Sequence, residues 1–185
     1  MNNKAKFNRY AELLREWNTR MNLVAPSTLT DLETRHFADS AQLADVLPHD
    51  VNIIDLGSGA GFPGAVLAIL GWNVTCIESI GKKVAFLNTI KQELNLENIE
   101  IYHGRVEDYV RHLPAKSSHF VFTARAFAPL VKILDYTKPT NYRLFLLKGR
   151  EIESEIATAK QKYKFKYELI PSKTGDGFII IIDKK

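Results

Sequence analysis

The chain has 185 residues, of which 45% are apolar and 25% are charged. This length suits one globular domain with a small appendage, and the ten glycines and seven prolines exclude collagen-like and low-complexity sequences. The single cysteine, Cys76, excludes a disulfide framework and a multi-cysteine zinc site. No apolar run approaches about 18 residues, and the N-terminus lacks the apolar block of a signal peptide. We therefore expect a cytoplasmic protein without a membrane span.

Basic residues are concentrated near the end of the chain. The formal net charge is +4, and residues 138–185 hold 11 Lys and Arg against 6 Asp and Glu. Residues 1–137 carry 14 basic against 15 acidic residues and are close to neutral. This asymmetry favours an anionic partner that contacts the C-terminal third, although a solvated surface can have the same composition.

The first part of the sequence predicts two helices. Apolar residues at spacings of three and four predict one helix over about residues 4–21. A second helical pattern runs over residues 32–47, after Ser27 or Thr28 as a candidate N-cap. We therefore expect residues 1–48 to form a helical extension.

Residues 49–185 have the sequence pattern of an alternating α/β domain. Short apolar runs alternate with helix-like segments, which predicts a parallel sheet covered on both faces. The last two runs are joined by a linker too short and turn-rich for a helix, so they predict an antiparallel hairpin. The apolar runs are residues 51–56, 73–78, 98–102, 119–124, 142–148, 164–170 and 177–183. The helix-like segments are residues 63–70, 81–95, 105–113, 127–137 and 150–162.

The strongest local signal is the glycine-rich loop from Asp55 to Gly64, which reads DLGSGAGFPG. Its glycines permit positive φ angles and let the backbone approach a ligand closely. Residues 59–64 match G-x-G-x-x-G, so a dinucleotide site is one interpretation, and a turn without a ligand is another. Against a dinucleotide, the glycine run begins earlier, at Gly57. The Asp55 carboxylate would also repel a pyrophosphate and favour the cationic S-adenosylmethionine.

Polar residues follow the next three predicted strands. Glu78 ends the second strand, where an acid can accept hydrogen bonds from both ribose hydroxyls of a nucleotide or of S-adenosylmethionine. After the third strand, Glu107 or a backbone amide can contact an adenine edge, or Glu107 is simply the first-turn acid of a helix. Arg125 follows the fourth strand, at the sheet edge where ligands bind, with a structural salt bridge as the alternative.

Two further groups of polar residues have less specific patterns. His36 and Asp39 suggest catalysis, but a pair at this spacing on a helix more often interacts locally or packs its histidine. Lys82, Lys83 and the lysines within residues 160–166 have the charge to neutralise RNA phosphates. Each of these lysines taken separately is better explained as a solvated surface charge.

Taken together, these motifs resemble the glucose-inhibited division protein B family. The matching blocks occur in order over residues 17–149 and include the RHFADS segment, the glycine-rich loop and the RAFAPL segment. Members of this family are S-adenosylmethionine-dependent methyltransferases that modify guanine N7 in small-subunit (16S) ribosomal RNA. The blocks are residues 17–18, 22–23, 35–40, 55–64, 78–79, 82–83, 86–87, 104–107, 125–130 and 147–149.

The resemblance implies a fold, a cofactor and a site. The fold is a Rossmann-like class I methyltransferase, with a seven-stranded, mostly parallel sheet whose last strand is antiparallel, plus the helical extension. The cofactor is S-adenosylmethionine, and Arg125 is the candidate catalytic residue at the junction of cofactor and substrate. The expected partner is ribosomal RNA or the small ribosomal subunit, bound by a monomer without a metal. The expected cofactor-binding residues are Asp55, Gly57, Gly59, Phe62, Glu78, Val106, Glu107 and Arg125.

The implied acceptor determines the expected chemistry. Guanine N7 has an in-plane lone pair and no proton, so its attack on the sulfonium methyl needs no general base and depends on positioning. Arg125 has donors for guanine O6 or a phosphate, and Phe62 or Phe127 can stack on a base. One alternative function is methyl transfer to a small molecule or a protein. Another is a non-catalytic RNA-binding module, which the intact glycine-rich loop disfavours.

Overall fold

The computed structural model describes residues 1–184, whose strands form one seven-stranded sheet. The strands are β1 (Asn52–Leu56), β2 (Asn73–Glu78), β3 (Ile99–His103), β4 (Phe120–Arg125), β5 (Arg143–Lys148), β6 (Phe165–Pro171) and β7 (Phe178–Lys184). Their order is β3-β2-β1-β4-β5-β7-β6, and β7 runs antiparallel to both of its neighbours, whereas the other pairs are parallel. This topology confirms the predicted α/β class I methyltransferase fold.

Helices connect the strands and cover both faces of the sheet. They are α1 (Asn3–Asn18), α2 (Asp39–Ala41), α3 (Gly64–Ile69), α4 (Gly81–Glu93), α5 (Val106–Val110), α6 (Leu130–Thr137) and α7 (Ile152–Lys160). No helix within residues 1–184 is long and apolar enough to cross a membrane.

The central strands are mostly apolar on both faces because helices cover each face. Ile53 of β1 belongs to a core that includes residues of α1, α3 and α4. Its neighbour Ile54 points to the opposite face and belongs to a second core with residues of α5, α6 and α7. Successive side chains of a strand alternate between faces, so continuous apolar runs are what a doubly covered parallel sheet requires.

The N-terminal segment packs directly on the sheet domain. The Tyr10 side chain of α1 is fully buried, and its hydroxyl donates a hydrogen bond to the Ala60 carbonyl at 2.5 Å. The Tyr10 ring also stacks on Phe62, with 5.5 Å between ring centres. The segment is therefore tied to the glycine-rich loop, and a domain boundary between residues 48 and 49 stays a prediction.

The second predicted helix is helical over residues 32–45, but it is not one regular α-helix. A 3₁₀ turn at Pro26–Asp31 leads into successive turns of different kinds, namely a π-helical segment at Glu33–Ala38, α2, and a 3₁₀ turn at Gln42–Asp45. The candidate N-caps are wrong, because Ala25 precedes the first turn and no side chain caps it. The π-helical segment has a wider turn than an α-helix, which changes the faces on which the following side chains lie. Tertiary contacts made by its residues, described below, explain why the regular pattern is broken.

Candidate active site

The glycine-rich loop leaves β1 at the carboxyl edge of the sheet and turns sharply. Gly57, Gly59 and Gly61 have φ angles of +67°, +58° and +92°, in the region that residues with a Cβ rarely adopt. At Gly57 a Cβ would also lie 2.1 Å from the ring of Phe127. The loop therefore needs glycine at this position for both its conformation and its packing.

Asp55 lies beneath this loop rather than at its surface. Its side chain is fully buried, and one carboxylate oxygen accepts the Gly64 N–H at 3.1 Å. The other oxygen accepts the Thr123 hydroxyl at 3.3 Å. Burial raises the pKa of Asp55 to about 6. Asp55 thus braces the loop from below, and direct contact with a cationic cofactor stays a prediction.

Glu78 connects the end of β2 to the same loop. One carboxylate oxygen accepts the Gly59 N–H at 2.9 Å, and the other accepts the Ile80 N–H at 2.8 Å. An ionised carboxylate has about four acceptor positions, so two remain for ligand hydroxyls. The sequence indicated a ligand role for Glu78 but not this bracing of the loop.

A cavity of about 260 Å³ opens where the loops after β1, β2, β3 and β4 meet. Four of the predicted cofactor residues line it together, and Phe127 and Ala126 close one side. The carboxylate of Glu78 suits ribose hydroxyls, and the buried Val106 offers an apolar wall to a purine. The four predicted residues are Gly57, Glu78, Val106 and Glu107.

Phe62 packs against His36 and does not line the first cavity. It is buried, and its ring stacks on His36 with 4.9 Å between centres. The Arg125 guanidinium carbon lies 5.3 Å from the centre of the Phe62 ring. Phe62 therefore supports Arg125 and His36 in this structure, and a contact with the cofactor stays a prediction.

A second cavity, of about 320 Å³, lies beside the first and shares Ala126 with it. Its walls come from the 28–39 segment, the end of β4 and the 172–178 loop. His36, Asp39 and Arg125 lie together in one wall. Ala126 has a φ of +50°, which is unusual for a residue with a Cβ and sharply turns the chain after Arg125.

Three nitrogen atoms of the Arg125 side chain have partners within the protein. Its Nε lies 3.2 Å from an Asp39 carboxylate oxygen, and its Nη2 lies 2.7 Å from His36 Nδ1. Its Nη1 points to the His36 carbonyl at 3.5 Å. A guanidinium has five N–H donors, so two remain for a ligand in the second cavity. Burial lowers the pKa of Arg125, but arginine is effectively always protonated in proteins.

The contact with Arg125 determines the tautomer of His36. Because the guanidinium can only donate, His36 Nδ1 must be the acceptor, and Nε2 then carries the proton. Nε2 lies 2.7 Å from the Thr28 hydroxyl, which in turn donates to the Ala25 carbonyl at 2.7 Å. Burial and the charge of Arg125 lower the pKa of His36 to about 4, so the ring is neutral near pH 7.

No local sequence pattern predicted this cluster. His36 does pack its ring, as expected, but His36 and Asp39 contact Arg125 instead of forming a local pair. Arg125 and His36 are 89 positions apart in the chain, beyond the reach of any local pattern. The only signal was that RHFADS and RAFAPL both occur among the blocks of the resemblance.

A family of known proteins matches most of this chain. The family model GidB, described as rRNA small subunit methyltransferase G, matches residues 3–174. Ribosomal RNA small subunit methyltransferase G of Hyphomonas neptunium is 41% identical over 183 residues, covering 96% of this chain and 85% of the relative. The protein of the same name from Rhodopseudomonas palustris is 39% identical over 190 residues, covering 97% and 83%.

Solved structures with the same fold include methyltransferases. A SAM-dependent methyltransferase from Aquifex aeolicus has a TM-score of 0.60 at 15% identity, covering 86% of this chain and 94% of its own. A mutant of MtNAS, in complex with S-adenosylmethionine, has a TM-score of 0.60 at 14% identity, covering 98% and 75%. At these identities the likeness concerns the fold. Since the family model and the relatives span nearly the whole sequence, this chain belongs to the GidB family.

Proposed function

We propose that this protein transfers a methyl group from S-adenosylmethionine to N7 of a guanine in small-subunit ribosomal RNA. As a member of the GidB family, it is an S-adenosylmethionine-dependent methyltransferase. The observation that carries the acceptor part of the proposal is the pair of cavities that meet at Ala126, one suited to the cofactor and one walled by Arg125.

The first cavity fits the cofactor chemically. Gly57, Glu78, Val106 and Glu107 line this cavity. Glu78 would accept hydrogen bonds from the ribose hydroxyls, and Val106 and Glu107 would contact the adenine. Bound S-adenosylmethionine supplies an electrophilic methyl group on a positively charged sulfur. Asp55, buried below the loop, would attract that positive charge.

The second cavity fits a nucleobase that needs orientation rather than deprotonation. Guanine N7 carries no proton, so the reaction requires no general base, and neutral His36 is committed to Arg125 and Thr28. The two uncommitted N–H donors of Arg125 can hold guanine O6 or a neighbouring phosphate. Alignment of the two reactants is worth at most roughly 7–11 kcal/mol of the barrier.

Methyl transfer to a small molecule or a protein is the second candidate. The polar, open form of the second cavity does not by itself exclude it, but the names of the relatives favour ribosomal RNA. A non-catalytic RNA-binding module is less well supported, because the cofactor cavity has its expected walls. We also propose a cytoplasmic location, where ribosomal RNA is found, and a monomeric state.

Mass spectrometry of ribosomal RNA nucleosides tests the proposal. Cells lacking the protein should lose one 7-methylguanosine per small-subunit RNA, and the purified protein should restore it with S-adenosylmethionine. Parallel reactions on naked RNA and on the assembled small subunit identify which one is the substrate. An unchanged 7-methylguanosine content would overturn the proposed function.

A further inference from the structure

A third cavity, of about 370 Å³, opens at the edge of the sheet opposite the two cavities described above. The carboxyl-end loops of the strands form the proposed active site, whereas this cavity lies where β5 and β6 begin and β7 ends. A strand of six residues separates the two edges by about 20 Å. Among residues 1–184, four lysines and no carboxylate line the cavity; the lysines are Lys116, Lys138, Lys164 and Lys184.

Four separate segments bring these lysines together. Lys116 lies in the loop before β4, Lys138 follows α6, Lys164 precedes β6, and Lys184 ends β7. Within residues 1–184, the lysines with a carboxylate within 4.0 Å are three others, none of which lines this cavity. The paired lysines are Lys148, Lys162 and Lys173.

Lys184 is the most enclosed of the four. Its Nζ donates to the Thr137 carbonyl at 2.7 Å and approaches the Thr140 hydroxyl at 3.4 Å. The ammonium lies 5.4 Å from the centre of the Phe122 ring, and burial lowers the pKa of Lys184 to about 8. Its two contacts are to neutral oxygens, so one donor and the whole positive charge remain for an anion.

One carboxylate beside the cavity already has partners. Asp135 lies next to the lining residue Tyr163, but its carboxylate accepts hydrogen bonds from Lys162 and from the Tyr163 hydroxyl. Like charges that share one cavity repel each other, and bound anions would relieve that repulsion. Among residues 1–184, the cavity therefore gathers positive charges that no carboxylate pairs.

We propose that this lysine cavity binds backbone phosphates of the RNA substrate, at a distance from the methylated base. The inference rests on the proposed function for the identity of the RNA. A polyanion fits better than a single small anion, because the lysines line a wide cavity and three of them are exposed. It also explains the basic C-terminal third, since Lys138, Lys164 and Lys184 belong to it.

Binding of a small-subunit ribosomal RNA transcript at several salt concentrations tests this surface. The test variant carries Lys116→Gln, Lys138→Gln and Lys164→Gln, and keeps Lys184 because of its internal hydrogen bonds. Each lost phosphate contact should reduce the slope of log K against log salt by about 0.7–0.9. We therefore expect a slope smaller by about 2–3, and an affinity at least about tenfold lower near 0.1 M salt.

Two further variants serve as controls. A variant with Lys4→Gln, Lys6→Gln and Arg15→Gln on α1 has the same change in net charge and should lose less RNA affinity. A variant with arginine at positions 116, 138 and 164 keeps the charge and should bind RNA as the wild type does. S-adenosylhomocysteine affinity and turnover at saturating RNA should be unchanged in all of them, which shows that each variant folds.

The outcomes separate this inference from the proposed function. Equal RNA affinity in the test variant and the α1 control would overturn the inference while leaving methyl transfer intact. Calorimetry with inorganic phosphate tests whether the cavity instead binds a small free anion. If the test variant lost phosphate binding but kept RNA affinity, the cavity would be a small-anion site and the inference would be wrong. A wild-type protein that binds RNA through these lysines but methylates no ribosomal RNA would overturn the proposed function alone.

Discussion

Among single residues, Arg125 has both the charge and the planar shape that the proposed site requires. Its Nε pairs with Asp39, its guanidinium lies over the Phe62 ring, and its Nη2 donates to His36. A lysine would keep the charge but would lose the planar fork that reaches several acceptors at once.

We expect Arg125→Lys to fold normally and to lose most methyl transfer, and Arg125→Ala to lose nearly all of it. A hydrogen bond from a charged donor is worth roughly 1.5–3 kcal/mol, which corresponds to about tenfold to hundredfold in rate. Single-turnover kinetics should show a low rate at saturating cofactor, with S-adenosylhomocysteine affinity nearly unchanged. Rescue by saturating S-adenosylmethionine would instead place Arg125 on the cofactor, and wild-type rates would remove it from the site.

The tautomer of His36 leads to a sharper prediction. In His36→Asn the amide oxygen can take the place of Nδ1 and still accept from Arg125, whereas in His36→Gln the amide reaches the Nε2 position near Thr28. We expect the asparagine variant to keep most of the turnover and the glutamine variant to lose it. Thr28→Val is the matched control, because it removes the Nε2 partner without touching Arg125. Equal turnover in His36→Asn and His36→Gln would contradict the inference that His36 Nδ1 positions Arg125.

At the scale of elements, the glycine-rich loop is fastened at two points to neighbouring strands. Glu78 of β2 accepts the Gly59 N–H at 2.9 Å, and Asp55 of β1 accepts the Gly64 N–H at 3.1 Å. One carboxylate lies at the cavity and the other is buried beneath the loop, so substitution should affect binding and stability differently.

Glu78→Ala should weaken S-adenosylhomocysteine binding by roughly 1.5–3 kcal/mol, because acceptors for the ribose hydroxyls are lost. The substitution also frees the Gly59 N–H, so part of the loss comes from a looser loop. Glu78→Gln retains one acceptor oxygen and should bind with intermediate affinity. Calorimetry measures both dissociation constants, and an unchanged value for Glu78→Ala would rule out the ribose contact.

At the scale of the whole molecule, the buried carboxylate of Asp55 makes stability depend on pH. The pKa of this group rises from 3.8 to about 6 on folding, so the folded chain binds more protons than the unfolded chain between these values. The free energy of unfolding therefore receives a contribution from Asp55 that falls as pH rises from about 4 to 6. Above pH 6 the charged carboxylate is buried at a cost.

We expect Asp55→Asn to remove this contribution and to be more stable than the wild type above pH 6, by up to about 3 kcal/mol. The asparagine oxygen can still accept the Gly64 N–H, and its amide can donate to Thr123. Denaturant unfolding at pH 5 and pH 8 measures the difference between the two proteins. The titration of His36 is common to both and cancels in that difference. Parallel pH profiles would contradict the raised pKa.

The fold of the whole molecule also determines which residues lie at each end of the strands. Loops at the carboxyl ends of the strands form the paired cavities, and the opposite edge carries the lysine cavity. A parallel sheet places all loops of one kind at one edge, so both collections of residues follow from the topology.

The apolar runs and turn residues of the sequence predict the sheet. The seven strands begin and end within one residue of the predicted runs. The central strands β1, β4 and β5 are mostly apolar because they are buried on both faces. The sequence also predicted the glycine-rich loop, because backbone turns with positive φ angles favour glycine. Backbone conformation and burial both restrict the residue types at each position, so local sequence patterns indicate them.

The hydrogen bonds and ion pairs of the polar side chains depend on the tertiary structure. Asp55 is turned beneath the loop, and Arg125 meets His36 across 89 positions of the chain. The π-helical segment around His36 and the lysine cavity likewise arise where distant segments meet. A hydrogen bond or an ion pair depends on atomic distance and orientation, which spacing along the chain does not specify.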